Sequence, residues 1–258
     1  MNHPAPIYEP AELPRLPTAE ELPCEDGVPM ETSKHRQQME LLISTLSLLW
    51  SDRTDYYVGG NMFLYFSLLQ TKRNDFRGPD FFVVLGTDNR PRKSWVMWEE
   101  ELAPDVIVEI TSPSTRAEDT TRKMHVYGQR LRVPFYFIFD PDSGEFEGYR
   151  LDQSRMEYTP IEPDNEGRLP CDRVDLDLGV WHGIHRNTPG PWLRWYTRDG
   201  NLVPSPEEAL GQEAARAEQE AARAAQEAAR AAQEAAARRA AEEKIADLEA
   251  RLRALGGE

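Results

Sequence analysis

Five side chains in this sequence have the types and spacing to act on a phosphate: Asp80, Glu109, Asp119, Lys123 and Tyr127. Glu109 stands inside Val106-Ile-Val-Glu-Ile110, an otherwise β-branched run that reads as a strand buried on both faces. A carboxylate there costs roughly several kcal/mol unless something compensates it. Asp119, Lys123 and Tyr127 follow four apart and share one stripe of a helix. The Lys123 stem can lie against a sheet while its amine reaches the carboxylate face. Asp80, after the Gly78-Pro79 turn, opens a second strand-like run, Phe81 to Leu85. Two strand-borne acids and a lysine suit metal-assisted phosphodiester hydrolysis. Magnesium needs one or two protein carboxylates and fills its other positions with water and phosphate oxygens. It lowers the pKa of a bound water, and a nearby ammonium orients that water or stabilises the transition state.

The elements that must position these groups form a βαβ unit. Ser112-Pro113-Ser114-Thr115 breaks the first strand and offers a helix cap. The pattern predicts a helix from about Arg116 to Leu131, with an apolar stripe of Ala117, Met124 and Leu131. A second buried strand, Phe135 to Phe139, closes at Asp140-Pro141. Alternation along the first strand places Asp105, Glu109 and Thr111 on one face.

Taken in order, Gly78-Pro79-Asp80, Pro104-Asp105 through Glu109-Ile110-Thr111-Ser112-Pro113-Ser114-Thr115, Asp119 to Lys123, Tyr127 and Phe139-Asp140-Pro141 resemble the Uma2 family of restriction-endonuclease domains, within the PD-(D/E)XK nuclease superfamily. The resemblance spans roughly Glu21 to Gly200. It implies an α/β fold: a restriction-endonuclease-like mixed sheet flanked by helices, here with a C-terminal Ala-rich coiled-coil helix. It implies a magnesium-dependent endodeoxyribonuclease, with manganese as a substitute metal and DNA as substrate. Asp80 and Glu109 would be the metal ligands, and Asp80, Glu109 and Lys123 the catalytic set. Asp119 would hold Lys123, and Tyr127 would bond within the site. Asp105 could support it or simply cap the strand it begins. Glu40 is a further candidate, because nucleases of this superfamily often bring an acid from an early helix to the metal; a solvent-facing position suits it at least as well. One departure stands out. The superfamily pattern puts a lysine two residues after Glu109, where this chain has Thr111; the family pattern moves it to the helix, at Lys123. The alternative is a catalytically inactive nuclease fold kept for binding or oligomerisation, presenting the coiled coil. No substrate-binding residue is assigned.

The 258 residues carry a net charge of -15, unusual for a phosphate binder. Against that background two stretches are locally basic: Arg116, Arg122, Lys123, Arg130 and Arg132, and Lys72, Arg73 and Arg77. Cys24 and Cys171 lie far apart, which suits a reducing compartment, and no His or Cys spacing suggests structural zinc. No signal sequence and no membrane-length apolar run is present, so a cytoplasmic location is expected.

Three segments are expected. Residues 1–30 are proline-rich, with Leu22 to Met30 draping over the domain. Residues 31–204 form the nuclease-like domain, opening with a helix from Glu31 to Trp50 capped by Thr32 or Ser33, whose buried face is Met39, Leu42, Ile43, Leu46 and Leu49. Tyr56 to Leu68 reads as a strand or hairpin turning at Gly59-Gly60-Asn61, Trp95 to Trp98 as a short strand, and Glu99-Glu100-Glu101 as solvated. A β-meander follows, with Asn187 to Pro191 as a turn and with tryptophans that either stack on bases or fill the core. Residues 205–258 repeat Ala-Ala-Gln-Glu-Ala-Ala-Arg with a period of seven. Ile245, Leu248, Leu252 and Leu255 form a seam through which the chain is expected to dimerise or assemble further, unless the domain itself does so. With 12 acids and 8 bases, this tail is not a nucleic-acid arm.

Overall fold

A computed structural model describes residues 15–24, 32–73, 78–112 and 115–255. Most of the proline-rich segment, Arg77, and Pro113 and Ser114 of the expected cap lie outside the described residues, as do the side chains of Lys72, Arg73, Leu252 and Leu255. The chain divides into two compact units, Met1–Ser205 and Pro206–Glu258. Among the described residues no helix is long and apolar enough to cross a membrane.

The first unit is α/β and built on a six-stranded mixed sheet. Its strands in chain order are β1 (Tyr56–Gly59), β3 (Phe81–Leu85), β5 (Val106–Ile110), β6 (Phe135–Phe139), β7 (Phe146–Asp152) and β8 (Glu157–Pro160). They lie side by side in that same order, and every neighbouring pair is antiparallel except β5 with β6. That parallel pair is the expected βαβ unit. Both faces of the central strands are buried, and the residues alternate between two cores. Phe81, Val83, Val106, Val108, Phe135 and Phe137 face one core, shared with α1 (Ser33–Leu49) and with the three-stranded antiparallel sheet β11-β10-β9. Those strands are β9 (Leu169–Cys171), β10 (Leu176–His185) and β11 (Thr188–Thr197). Phe82, Val84, Ile107, Tyr136 and Ile138 face the other core, which holds Tyr127, Leu131 and Trp95. Glu109 lies on this second face, two residues on from Ile107.

Thr32 caps α1, its hydroxyl accepting from the His35 amide at 3.1 Å. The buried face differs from the expected stripe: it is His35, Gln38, Leu41, Leu42, Thr45 and Leu46, while Leu49 is exposed. Gln38 causes the rotation. Its amide exchanges two 2.9 Å hydrogen bonds with the backbone of Leu193, serving as an extra strand residue beside β11.

The hairpin expected within Tyr56 to Leu68 does not form. After β1 the chain leaves the sheet at Gly60, where a Cβ would stand 2.2 Å from the Asp80 carbonyl oxygen, and Asn61 takes a left-handed φ of 48°. β2 (Leu64–Tyr65) then pairs in parallel with β4 (Trp95–Val96), and α2 (Leu68–Arg73) follows β2. Trp95 to Trp98 is strand only over β4; from Met97 it becomes α3 (Met97–Glu100). Glu100 is not solvated as expected. It accepts from Arg92 at 2.7 Å and from Arg90 at 2.9 Å with its side chain largely buried. The expected turn at Asn187 to Pro191 shrinks to Arg186 and Asn187, both left-handed, and the strand resumes at Thr188. β11 is an edge strand, so Pro189 and Pro191 forfeit no ladder bond there. Trp192 and Trp195 are fully buried, which removes the base-stacking option for both.

Residues 15–24 pack on the domain. Leu22 joins Tyr65 and Val96, the Tyr65 hydroxyl donates to the Pro23 carbonyl at 2.6 Å, and Trp98 Nε1 donates to Pro17 at 2.8 Å. The second unit is one helix, α5 (Pro206–Leu255), with Ile245 56% and Leu248 51% exposed.

Candidate active site

The segment joining β5 to β6 begins as α4 (Arg116–Glu118) and runs on as two π-helical stretches, Asp119–Lys123 and Val126–Leu131. A regular α-helix was expected. The Thr120 hydroxyl bonds the Arg116 carbonyl at 2.8 Å and the Thr121 hydroxyl the Ala117 carbonyl at 2.5 Å. Side-chain hydroxyls on those carbonyls compete with the regular ladder, and π turns are frequent at functional sites. The wider turn also changes which residues face the sheet: Asp119, Tyr127, Gly128 and Leu131 are buried, whereas Met124 is only partly so and Ala117, expected on the apolar stripe, is exposed. Gly128 lets the Tyr158 ring pack close to this turn, where a Cβ would stand 3.1 Å from it.

Glu109 is fully buried at the centre of this arrangement. Its Oε1 accepts from the Tyr127 hydroxyl at 2.7 Å and its Oε2 from Lys123 Nζ at 2.9 Å. Lys123 Nζ also lies 2.7 Å from Asp119 Oδ1. The antiparallel register pairs Phe81 with Val108, so one step further Asp80 falls opposite Glu109. Asp80 Oδ2 accepts from the Ile110 amide at 2.7 Å, and its Oδ1 lies 2.8 Å from His35 Nε2. Three carboxylates therefore surround one ammonium, with an imidazole at the edge.

The electrostatics follow from that count. Burial pushes the Glu109 carboxyl up to about 8; Lys123 pulls it down, while Asp80 and Asp119 push it up and the Tyr127 bond pulls it down. Burial acts to lower the Lys123 pKa, but Glu109, Asp119 and Asp80 together outweigh it and raise it. The ammonium therefore stays charged at neutral pH, and the neighbouring Tyr136 hydroxyl, held to the Asp119 carbonyl at 2.9 Å, stays protonated because burial raises it.

The structure brings Asp80, Glu109, Asp119, Lys123 and Tyr127 together. It does not bring in Asp105 or Glu40. Asp105 precedes β5, four residues and about 13 Å of extended chain from Glu109. There its carboxylate accepts from the Leu85 amide at 2.7 Å and from Arg173 Nε at 2.8 Å, tying β3 to the β9–β10 connection. Glu40 sits on the solvent side of α1 and pairs with Arg186 at 2.6 Å. The residue that α1 does contribute is His35, one turn and a half earlier and on the opposite, buried face. Its sequence signal was the 35/38/42 spacing, masked by assigning the buried face to apolar residues alone. Thr111, at the position of the absent strand lysine, has already left the strand, and its hydroxyl lies 3.3 Å from that of Thr115.

No three His, Cys, Asp or Glu side chains among the described residues already converge as a metal-binding group. Magnesium asks for less: one or two carboxylates with water elsewhere. Asp80 and Glu109 fit that need, because each oxygen keeps a lone pair beyond the bond it accepts and the pocket holds more negative charge than Lys123 offsets.

A buried acid on a central strand, a second acid opposite it just before the neighbouring strand, and a lysine from the following helix make up the candidate site. The family model Uma2, described as "Putative restriction endonuclease", matches residues 15–180, and the chain belongs to that family. A solved structure described as a putative nuclease belonging to DUF820, from Anabaena variabilis, is similar over 57% of this chain and 76% of its own, with 17% identity and a TM-score of 0.41. Comparison with curated proteins gave no match.

Proposed function

We propose that this protein is a magnesium-dependent endonuclease that hydrolyses DNA phosphodiester bonds, with manganese as a substitute metal. The observation that carries this reading is the surplus of carboxylates around one partly buried ammonium, on elements that belong to a nuclease family. Asp80 and Glu109 would hold the metal. When bound, the ion offsets charge on the phosphate and lowers the pKa of the attacking water.

The chain's own residues do the rest. His35 and the Ile110 amide fix both oxygens of Asp80. Tyr127 fixes one oxygen of Glu109. Lys123 stays protonated, so it donates hydrogen bonds to the water or to the phosphate and stabilises developing charge, without acting as a proton acceptor. Asp119 keeps the ammonium near Glu109. The backbone donors and the aromatic wall of Tyr127 and Tyr136 keep these groups preorganised in a site of low dielectric.

The test is magnesium binding by calorimetry and plasmid nicking, for the wild type, Asp80→Asn and Glu109→Gln. The wild type is expected to bind metal and nick, and both variants to do neither. Folded wild-type protein that binds no magnesium would show that the acids are structural, and the domain would then be a binding module that retains the fold.

A further inference from the structure

On the outer side of the helix that carries Lys123, a groove of about 470 Å³ opens against α2 and the residues before it. Arg122, His125 and Arg130 line it on the helix side, and Phe66, Ser67 and Leu69 on the other. Among the described residues no acidic side chain lines it, in a chain whose net charge is -15. We infer that this groove binds unpaired nucleotides of the substrate strand beside the scissile phosphate. This inference rests on the nuclease reading for the site next door and names the form of its substrate.

Several observations support it. The helix has two working faces. Asp119, Lys123 and Tyr127 point inward to Glu109, whereas Arg122, Val126 and Arg130, also four apart, form the adjacent row that faces the groove. A phosphate held at Arg122 is therefore next to the helix position that supplies the ammonium of the site. Arg130 and His125 form no ion pair among the described residues.

The wall opposite the arginines is preset. Gln70 is buried, its Oε1 accepts from the amides of Phe66 and Ser67 at 2.7 and 3.0 Å, and its Nε2 donates to the Leu64 carbonyl at 3.1 Å. This clamp holds Phe66 beside the cations, and Leu69, 53% exposed, extends the apolar surface. Cations for phosphates together with an aromatic and aliphatic face for a base is the composition of single-strand sites. The volume falls in the range of about 300–1,000 Å³ that encloses a small ligand, so it has room for a nucleotide or two.

The experiment measures binding of a labelled 12-nucleotide single strand and of the matching duplex to the full chain carrying Glu109→Gln, by anisotropy at several salt concentrations. Three further forms are compared in the same background: Arg122→Ala/Arg130→Ala; Leu69→Glu, which places an acid in the groove; and Arg155→Ala/Arg216→Ala, which removes the same charge elsewhere. The single strand should bind more tightly than the duplex and than a free mononucleotide used as competitor. Both groove variants should weaken single-strand binding by roughly tenfold, and the double arginine variant should lower the slope against log salt by about 1.4. The control double variant should bind like its parent. Groove variants that bind like the control overturn the inference, as does a duplex or a mononucleotide that binds as well as the strand. The two readings fail separately. Protein with wild-type Glu109 that with magnesium cleaves neither plasmid nor the 12-nucleotide single strand, alongside groove variants that lose the strand, leaves the groove standing and removes the cleavage reading. Cleavage that persists at full rate in groove variants with unchanged binding removes only the groove.

Discussion

In the metal-free protein, replacing Glu109 by glutamine should change how stability depends on pH more than it changes stability itself. Glutamine keeps the shape but has one acceptor oxygen where glutamate accepts two bonds, from Tyr127 and from Lys123. That loss is a constant offset. The pH-dependent part comes from ionisation. In the unfolded chain the Glu109 carboxyl titrates near its ordinary 4.5, whereas burial raises it to about 8 in the folded protein. Below the unfolded value both states hold the proton, and the contribution to stability is complete. Between the two values the folded state alone keeps it, so stability declines as pH rises and the loss is finished only above the folded value. From about pH 5.5 to 7.5 the wild type should therefore lose about 3 kcal/mol relative to Glu109→Gln. Urea denaturation with a chelator present, at three pH values in that window, reads the difference directly. Parallel curves for the two proteins would refute the reasoning, because they would mean that Glu109 is ionised in the fold at ordinary pH. Magnesium at about a hundred times its Kd should then restore about 3 kcal/mol to the wild type and nothing to the variant.

Magnesium binding at neutral pH should release close to one proton, since Glu109 must ionise to act as a ligand; calorimetry in buffers of different ionisation enthalpy measures it, and zero release contradicts the assignment. Tyr127→Phe leaves Glu109 Oε1 without its donor, so it should destabilise by about 1–3 kcal/mol and move the pH transition to higher pH, both visible in the same urea experiment. The tail is expected to associate through its terminal seam, so Ile245→Glu/Leu248→Glu should reduce the solution mass of the full chain measured by light scattering; an unchanged mass removes the tail from assembly.

Much of the architecture was legible because it is local. β-branched runs bounded by turn residues located β5 and β6, the seven-residue alanine repeat located α5, and a threonine before an amphipathic run located the start of α1. The ordered motifs also named the acids and the lysine that meet at Glu109. What the sequence could not decide depended on which backbone lay alongside. Asp105 and Glu109 share a strand-face parity, yet the strand begins between them and Arg173 claims the first. Glu40 and His35 share a helix, and only the packing of Gln38 against Leu193 decides that His35 is the one turned inward. The π turns likewise follow from hydroxyl-to-carbonyl bonds and from the close approach of Tyr158 to Gly128, neither of which any hydrophobic period reports. Sequence alone thus determined β5, β6, α5 and the start of α1, and the chemical types available on them, because those follow from neighbours along the chain. Tertiary structure alone decided which carboxylates share one partly buried ammonium, because burial and charge are set by neighbours in space.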